Sequence, residues 1–219
     1  MSNDKKTPDP GTSLISSTVV TTENGAILRE LTEIGLDLAL DDELLRKVPV
    51  IGILYSVGKT FVSIPDKIFA KKVLRFLVGV GELPEGKASR WIGEMNDESA
   101  TREFGERVLT VLDAFNAATK AKLLGRLFRG LLQGRCDRDE FLRLSDMLGA
   151  AYESDISYLV QAFESGLPLG EDGDEVRRLI ATGFAYRPTN KLGDRISEKV
   201  QPELSDYGQR FLELVTTCE

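Results

Sequence analysis

Residues 120–156 read KAKLLGRLFRGLLQGRCDRDEFLRLSDMLGAAYESDI. Leu123, Leu124, Leu127, Phe128, Leu131 and Leu132 recur at intervals of three and four, which gathers apolar side chains on one face of a helix. Gly134 ends that helix. Asp137, with Glu140 three residues on, forms a capping box that opens a second helix running through Leu148. Ser154 caps a third helix that reaches Phe163 and is closed by Gly166 and Pro168.

The same periodicity extends outward. Upstream, Phe104, Val108, Val111, Leu112 and Phe115 form another helical stripe, and Gly79, Gly81, Pro84 and Gly86 mark a break before it. Ile27, Leu28, Leu31, Ile34, Leu36 and Leu38 predict a helix within Gly25–Leu45, weakened at Gly35. Downstream, the acidic turn Glu171–Asp174 leads to a helix over Glu175–Ala181, then to Gly183, Phe184, Ala185 and Tyr186. A polar loop with Pro188 and Gly193 follows, and Pro202-Glu203-Leu204-Ser205 opens a last helix to Val215. A helix ending in a small strand, a wing loop and a closing helix is the layout of a winged helix. The expected fold is therefore all-α, a helical bundle with a C-terminal winged-helix-like unit containing a small β-hairpin. Residues 1–24 read as a disordered tail, 25–86 as N-terminal helices, and 87–219 as the helical hairpin plus the winged-helix-like unit.

The 219 residues are 42% hydrophobic and 29% charged, enough apolar material for a packed core. A net charge of -7 opposes global affinity for nucleic acid. Two cysteines, Cys136 and Cys218, are too few for a disulfide framework or a zinc site, which predicts a reduced, cytoplasmic setting. The first 22 residues lack a long apolar run and do not read as a signal peptide. With no histidine, Ser-His-Asp and Cys-His catalysis and histidine-ligated metals are excluded. The expectation is a protein with no enzyme active site, no metal and no cofactor.

Against the acidic average, residues 46–75 hold Arg46, Lys47, Lys59, Lys67, Lys71, Lys72 and Arg75 with only Asp66 opposing them, a local charge of +6. Val48–Ile64 is strongly apolar but, at about 17 residues, shorter than the roughly 20 that span a bilayer core. Ile64–Val80 continues as a basic amphipathic helix, with Ile68, Phe69, Val73, Phe76 and Leu77 on one face and Lys67, Lys71, Lys72 and Arg75 on the other. Two readings stand. Either the stretch meets an anionic partner, or it is a core helix whose lysines are simply solvated.

Three other motifs carry less. Gly52–Thr60, GILYSVGKT, has five residues rather than four between Gly52 and Gly58, so it misses the register of a phosphate-binding loop. Glu171–Glu175 lacks the alternating ligands and twelfth-position glutamate of a calcium loop and reads as a solvated turn with Asp174 as a cap. The candidate recognition helix, Asp155–Phe163, contains no Lys or Arg, which makes base readout weak. Tyr55, Trp91 and Tyr186 read as core or interface residues.

Val48–Leu77, VPVIGILYSVGKTFVSIPDKIFAKKVLRFL, is similar to a segment of small bacterial helical proteins with the pattern IP…GK…SI-D--F-KK…FL. Residues 120–156 resemble the helical hairpin that follows it in those proteins, and the C-terminus resembles their L---G--FL ending. The closing portion also resembles, more weakly, the abortive-infection alpha type. The resemblance implies an association with mobile elements or phage defence, and it carries over no catalytic residues. Its matching positions are Pro49, Gly58, Lys59, Asp66, Phe69, Lys71 and Lys72.

The combined expectation is a non-enzymatic accessory or effector protein of phage-defence type, cytoplasmic or peripheral at the inner membrane. It would engage an anionic membrane surface or a protein partner. Lys59, Lys67, Lys71, Lys72 and Arg75 would supply charge, and Ile51, Leu54, Phe61 and Phe69 the apolar contact. The alternative is a winged-helix regulator bound to DNA.

Overall fold

The computed structural model describes residues 11–12, 14–16, 18, 64–84, 86–94, 97–188 and 201–216. The helix expected in Gly25–Leu45, the apolar run from Val48 to Ser63 with the glycine loop inside it, and Cys218 lie outside them. The described elements are α1 (Ile64–Val80), α2 (Lys87–Glu94), α3 (Glu98–Ala114), α4 (Ala118–Leu132), α5 (Arg138–Ala150), α6 (Glu153–Glu164), α7 (Asp174–Ala181), β1 (Ala185–Tyr186), β2 (Glu203–Leu204) and α8 (Asp206–Thr216). Among the described residues the fold is all-α with one small antiparallel hairpin, in the register Ala185 to Leu204 and Tyr186 to Glu203.

The chain divides into two compact units, Met1–Gly134 and Arg135–Glu219. A boundary near residue 86 was the expectation, but that point falls inside the first unit, because α1 packs along α4 across the Gly81–Gly86 break.

In the first unit Ala70, Val73, Leu74, Phe76, Leu77 and Val80 of α1 are buried. The seam with α4 lies at Gly79 and Gly125. A Cβ on Gly125 would stand 2.8 Å from Gly79 Cα and overlap the Phe76 carbonyl oxygen, while one on Gly79 would overlap the carbonyl oxygen of Lys122. Backbone meets backbone there, which no larger residue permits. Beside the seam, Phe76, Trp91, Phe104 and Phe128 interlock, with ring centroids 5.4 Å apart for Phe76–Phe128 and 5.6 Å for Trp91–Phe104. Asp97 caps α3 by accepting from Ser99 N at 2.9 Å.

Residues Gly11, Thr12, Leu14, Ile15, Ser16 and Thr18, within the segment expected to be disordered, are helical. Leu14 and Ile15 are fully buried, and Gly11 lies against α3 so closely that a Cβ on Gly105 would fall 2.8 Å from Gly11 Cα. Gly11, without a side chain, is what allows the close approach to α3.

In the second unit Asp137 accepts from Glu140 N at 2.8 Å, so its half of the capping box forms. The Glu140 carboxylate turns instead to Arg210 on α8, at 2.9 Å. Ser154 is not a cap: Tyr152 holds that position without a side-chain bond, and the serine hydroxyl donates to Asp155 at 3.3 Å. Asp174 is not a cap either; Gly173 precedes α7, and Asp174 pairs with Arg177 at 3.2 Å. Asp155 is buried and takes a two-pronged hydrogen bond from Arg178 at 2.8 and 2.7 Å, the pairing a desolvated carboxylate requires. That bond raises the Arg178 pKa above its ordinary value. Phe184, just past α7, packs edge-on against Phe211 at 5.0 Å, and Ser205 caps α8 by accepting from Gly208 N at 2.9 Å.

The seam makes a paired prediction. Gly125→Ala should lower stability by about 2–3 kcal/mol through overpacking, whereas Gly93→Ala, where an added Cβ meets nothing within 4 Å, should be neutral or stabilising by up to about 1 kcal/mol. Urea unfolding of the two variants checks this, and equal effects would refute the close approach.

Candidate functional site

Lys67, Lys71 and Arg75 stand four residues apart and form one half-exposed row along α1. Ile68, three residues before Lys71, is 52% exposed in the same row, although its spacing predicted the apolar face. Phe69 is half-buried, and Val73, Phe76 and Leu77 are buried as expected.

Lys72 departs from its predicted place. It is 7% exposed, and its ammonium donates to the Asp113 carbonyl at 2.7 Å. That oxygen belongs to the last turn of α3, where carbonyls have no partner inside their own helix, and a cation there also meets the negative end of the helix dipole. Lys72 therefore fastens α1 to α3 and is not part of an outer surface. Ile51, Leu54, Lys59 and Phe61 lie outside the described residues.

A second basic helix joins α1, and the sequence reading used it only as a core stripe. Ala118–Leu132 contains Lys120, Lys122, Arg126 and Arg129 and no acidic residue, a signal that was available. Two of the four serve the fold. Lys120 is 2% exposed with its ammonium 5.7 Å from the centre of the Phe115 ring, and Arg129 donates to the carbonyls of Val80 at 2.9 Å and Glu82 at 2.7 Å, closing the end of α1. Lys122 and Arg126 remain half-exposed.

Charge is thus sorted within the first unit. Residues 1–134 hold 18 Lys and Arg against 18 Asp and Glu, yet α1 and α4 together hold 8 of those cations and 1 of those acids. Residues 135–219 hold 10 against 17, so the second unit carries the whole net charge of -7.

The acidic turn Glu171–Asp174 is answered by arginines. Arg187 donates to Asp172 at 2.9 Å and to the Glu171 carbonyl at 2.7 Å, and Arg177 reaches both Asp174 and the Asp172 carbonyl. Among the described residues, no three His, Cys, Asp or Glu side chains gather as a metal site. Cys136 is buried, and its thiol is pushed up to about 12, first by desolvation and then by the Glu140 carboxylate. Tyr186 donates to Glu203 at 2.8 Å, which raises its pKa. Among the described residues, no helix is long and apolar enough to cross a membrane.

Compared with known proteins, the chain matches no family model, no curated protein and no solved structure.

Two measurements test these assignments. Lys72→Ala should cost about 1–3 kcal/mol of stability through its lost hydrogen bond, while Lys67→Ala stays within about 0.5 kcal/mol; similar values for both would place Lys72 on the outer row after all. Because the folded thiol holds its proton up to about pH 12, Cys136 in a Cys218→Ser background should react with an aromatic disulfide at pH 8 at least about thirtyfold more slowly than in the unfolded chain. A free-thiol rate in the folded protein would contradict its burial.

Proposed function

We propose that this chain is a non-enzymatic effector that engages an anionic membrane surface through a basic face built on α1 and α4. One observation carries the reading: α1 and α4 pack along one another and together hold eight Lys and Arg against one acid, and five of these cations, Lys67, Lys71, Arg75, Lys122 and Arg126, are partly exposed. Each Lys or Arg near an anionic bilayer contributes about 1 kcal/mol, so five give reversible binding that salt weakens. Ile68, exposed between Lys67 and Lys71, adds an apolar contact of the kind that seats a helix at a membrane interface. The resemblance of residues 48–215 to small bacterial helical proteins, which implies an association with mobile elements or phage defence, supports an accessory role. A protein partner with an acidic face would use the same residues.

The order of elements in the second unit, three helices, a hairpin and a closing helix, supports a second reading as a winged-helix DNA binder. Electrostatics weigh against it. The unit is net negative, and on α7, the helix that runs into the hairpin, Arg177 and Arg178 are both committed to carboxylates. Phosphate contacts need cations that are available.

Co-sedimentation separates the readings. The chain should pellet with vesicles containing phosphatidylserine and remain in solution with pure phosphatidylcholine, and Lys71→Glu with Lys122→Glu should lower the bound fraction roughly tenfold or more. Binding indifferent to lipid charge or to these substitutions sinks the proposal, and duplex DNA binding of steep salt dependence without vesicle binding would favour the second reading.

A further inference from the structure

The second unit contains a groove of about 550 Å³ that the basic face does not involve. Its walls come from the end of α6, the turn after it, and the approach to β2. Leu159, Ala162, Phe163, Leu167, Pro202 and Leu204 supply most of the apolar lining. Gln201 donates to the Leu169 carbonyl at 3.2 Å and Gly170 N donates to the Tyr158 hydroxyl at 2.8 Å, which ties the turn after α6 to β2's approach and to α6 itself.

Two helix ends in this unit show that the groove is an opened contact. α6 and α7 both finish in the same way, with a glycine at positive φ and a following residue that bonds back five positions: Leu167 N to Ala162 O at 2.9 Å, and Phe184 N to Leu179 O at 2.9 Å. In this motif the residue after the glycine ordinarily packs against the last turn of its helix. Phe184 is fully buried, edge-on against Phe211, whereas Leu167 is 66% exposed and Phe163 beside it is 39% exposed. Leucine and phenylalanine at such exposure over one concavity leave apolar area for an occupant.

Charge specifies the occupant. Glu203 is the one charged residue in the lining, and Glu164, Glu171 and Asp206, close to lining residues in the chain, are also acidic and exposed. An apolar floor with an acidic rim fits an amphipathic segment with Leu-like anchors and flanking cations. We infer that this groove receives a basic, apolar peptide segment of a partner protein, seated on Phe163 and Leu167 and held by the surrounding carboxylates. The site is separate from the basic face, so either can fail alone.

The full chain is titrated with a labelled peptide carrying Leu at helical spacing and Lys elsewhere, and with a second peptide in which every Lys is Glu. The Lys peptide should bind saturably, with a Kd on the order of 10 μM, and the Glu peptide at least about tenfold more weakly. Phe163→Ser with Leu167→Ser should weaken the Lys peptide at least about tenfold; the circular dichroism melting curve of this variant should be unchanged, since both side chains are exposed. Should that variant unfold, Glu164→Lys with Glu203→Lys provides the same test, and the peptide preference should reverse. Binding untouched by these substitutions, equal binding of the two peptides, or no saturation below about 1 mM would overturn the inference.

Discussion

Where α1 crosses α4 the two backbones touch, and most of what the first unit presents to its surroundings follows from that contact. Gly79 and Gly125 have no side chains to hold the helices apart, so a Cβ on either would overlap a carbonyl of the partner helix. At this separation Arg129 can reach the carbonyls of Val80 and Glu82, and Phe76 meets Phe128 edge-on. Carbonyls at a helix end need donors, and the cations nearest the seam supply them. The partly exposed cations of the two helices make up the proposed basic face.

The molecule therefore uses its positive residues in two ways. Lys72, Lys120 and Arg129 are structural, each matched to a carbonyl or an aromatic ring. Lys67, Lys71, Arg75, Lys122 and Arg126 are partly exposed. In the second unit the arginines are largely structural as well. Arg178 neutralises the buried Asp155, Arg210 links Glu140 to α8, and Arg187 closes the acidic turn. An excess of carboxylates is left exposed, and it is this excess that makes the groove after α6 selective for cations.

Much of the architecture was legible in sequence. The stripe Leu123 to Leu132, the stop at Gly134, the Asp137 cap and the helix Ile64–Val80 all appear where periodicity puts them. A small strand ending at Tyr186 was readable, but its partner Glu203-Leu204 had the look of the last helix's opening and is instead a strand, with the helix starting at Asp206. The true caps near Ser154 and Asp174 were not readable, because each helix starts earlier than its sequence suggests: Tyr152 and Gly173 hold the cap positions, which puts Ser154 and Asp174 inside the first turn. The Leu167 groove left no signal at all: exposure of one helix-ending residue and burial of another with the same local motif depend on what packs nearby.

The sequence by itself determined the helical class, the position of the main breaks and the sorting of charge, because these depend on residues close together in the chain. It also placed a basic helix at Ile64–Val80. Only the tertiary structure decided how far each of its lysines is exposed. Lys71 and Lys72 are adjacent and chemically identical, and one faces outward while the other is buried against Asp113. Successive residues on a helix point about 100° apart, and the distant α3 and α4 determine which of those directions is covered.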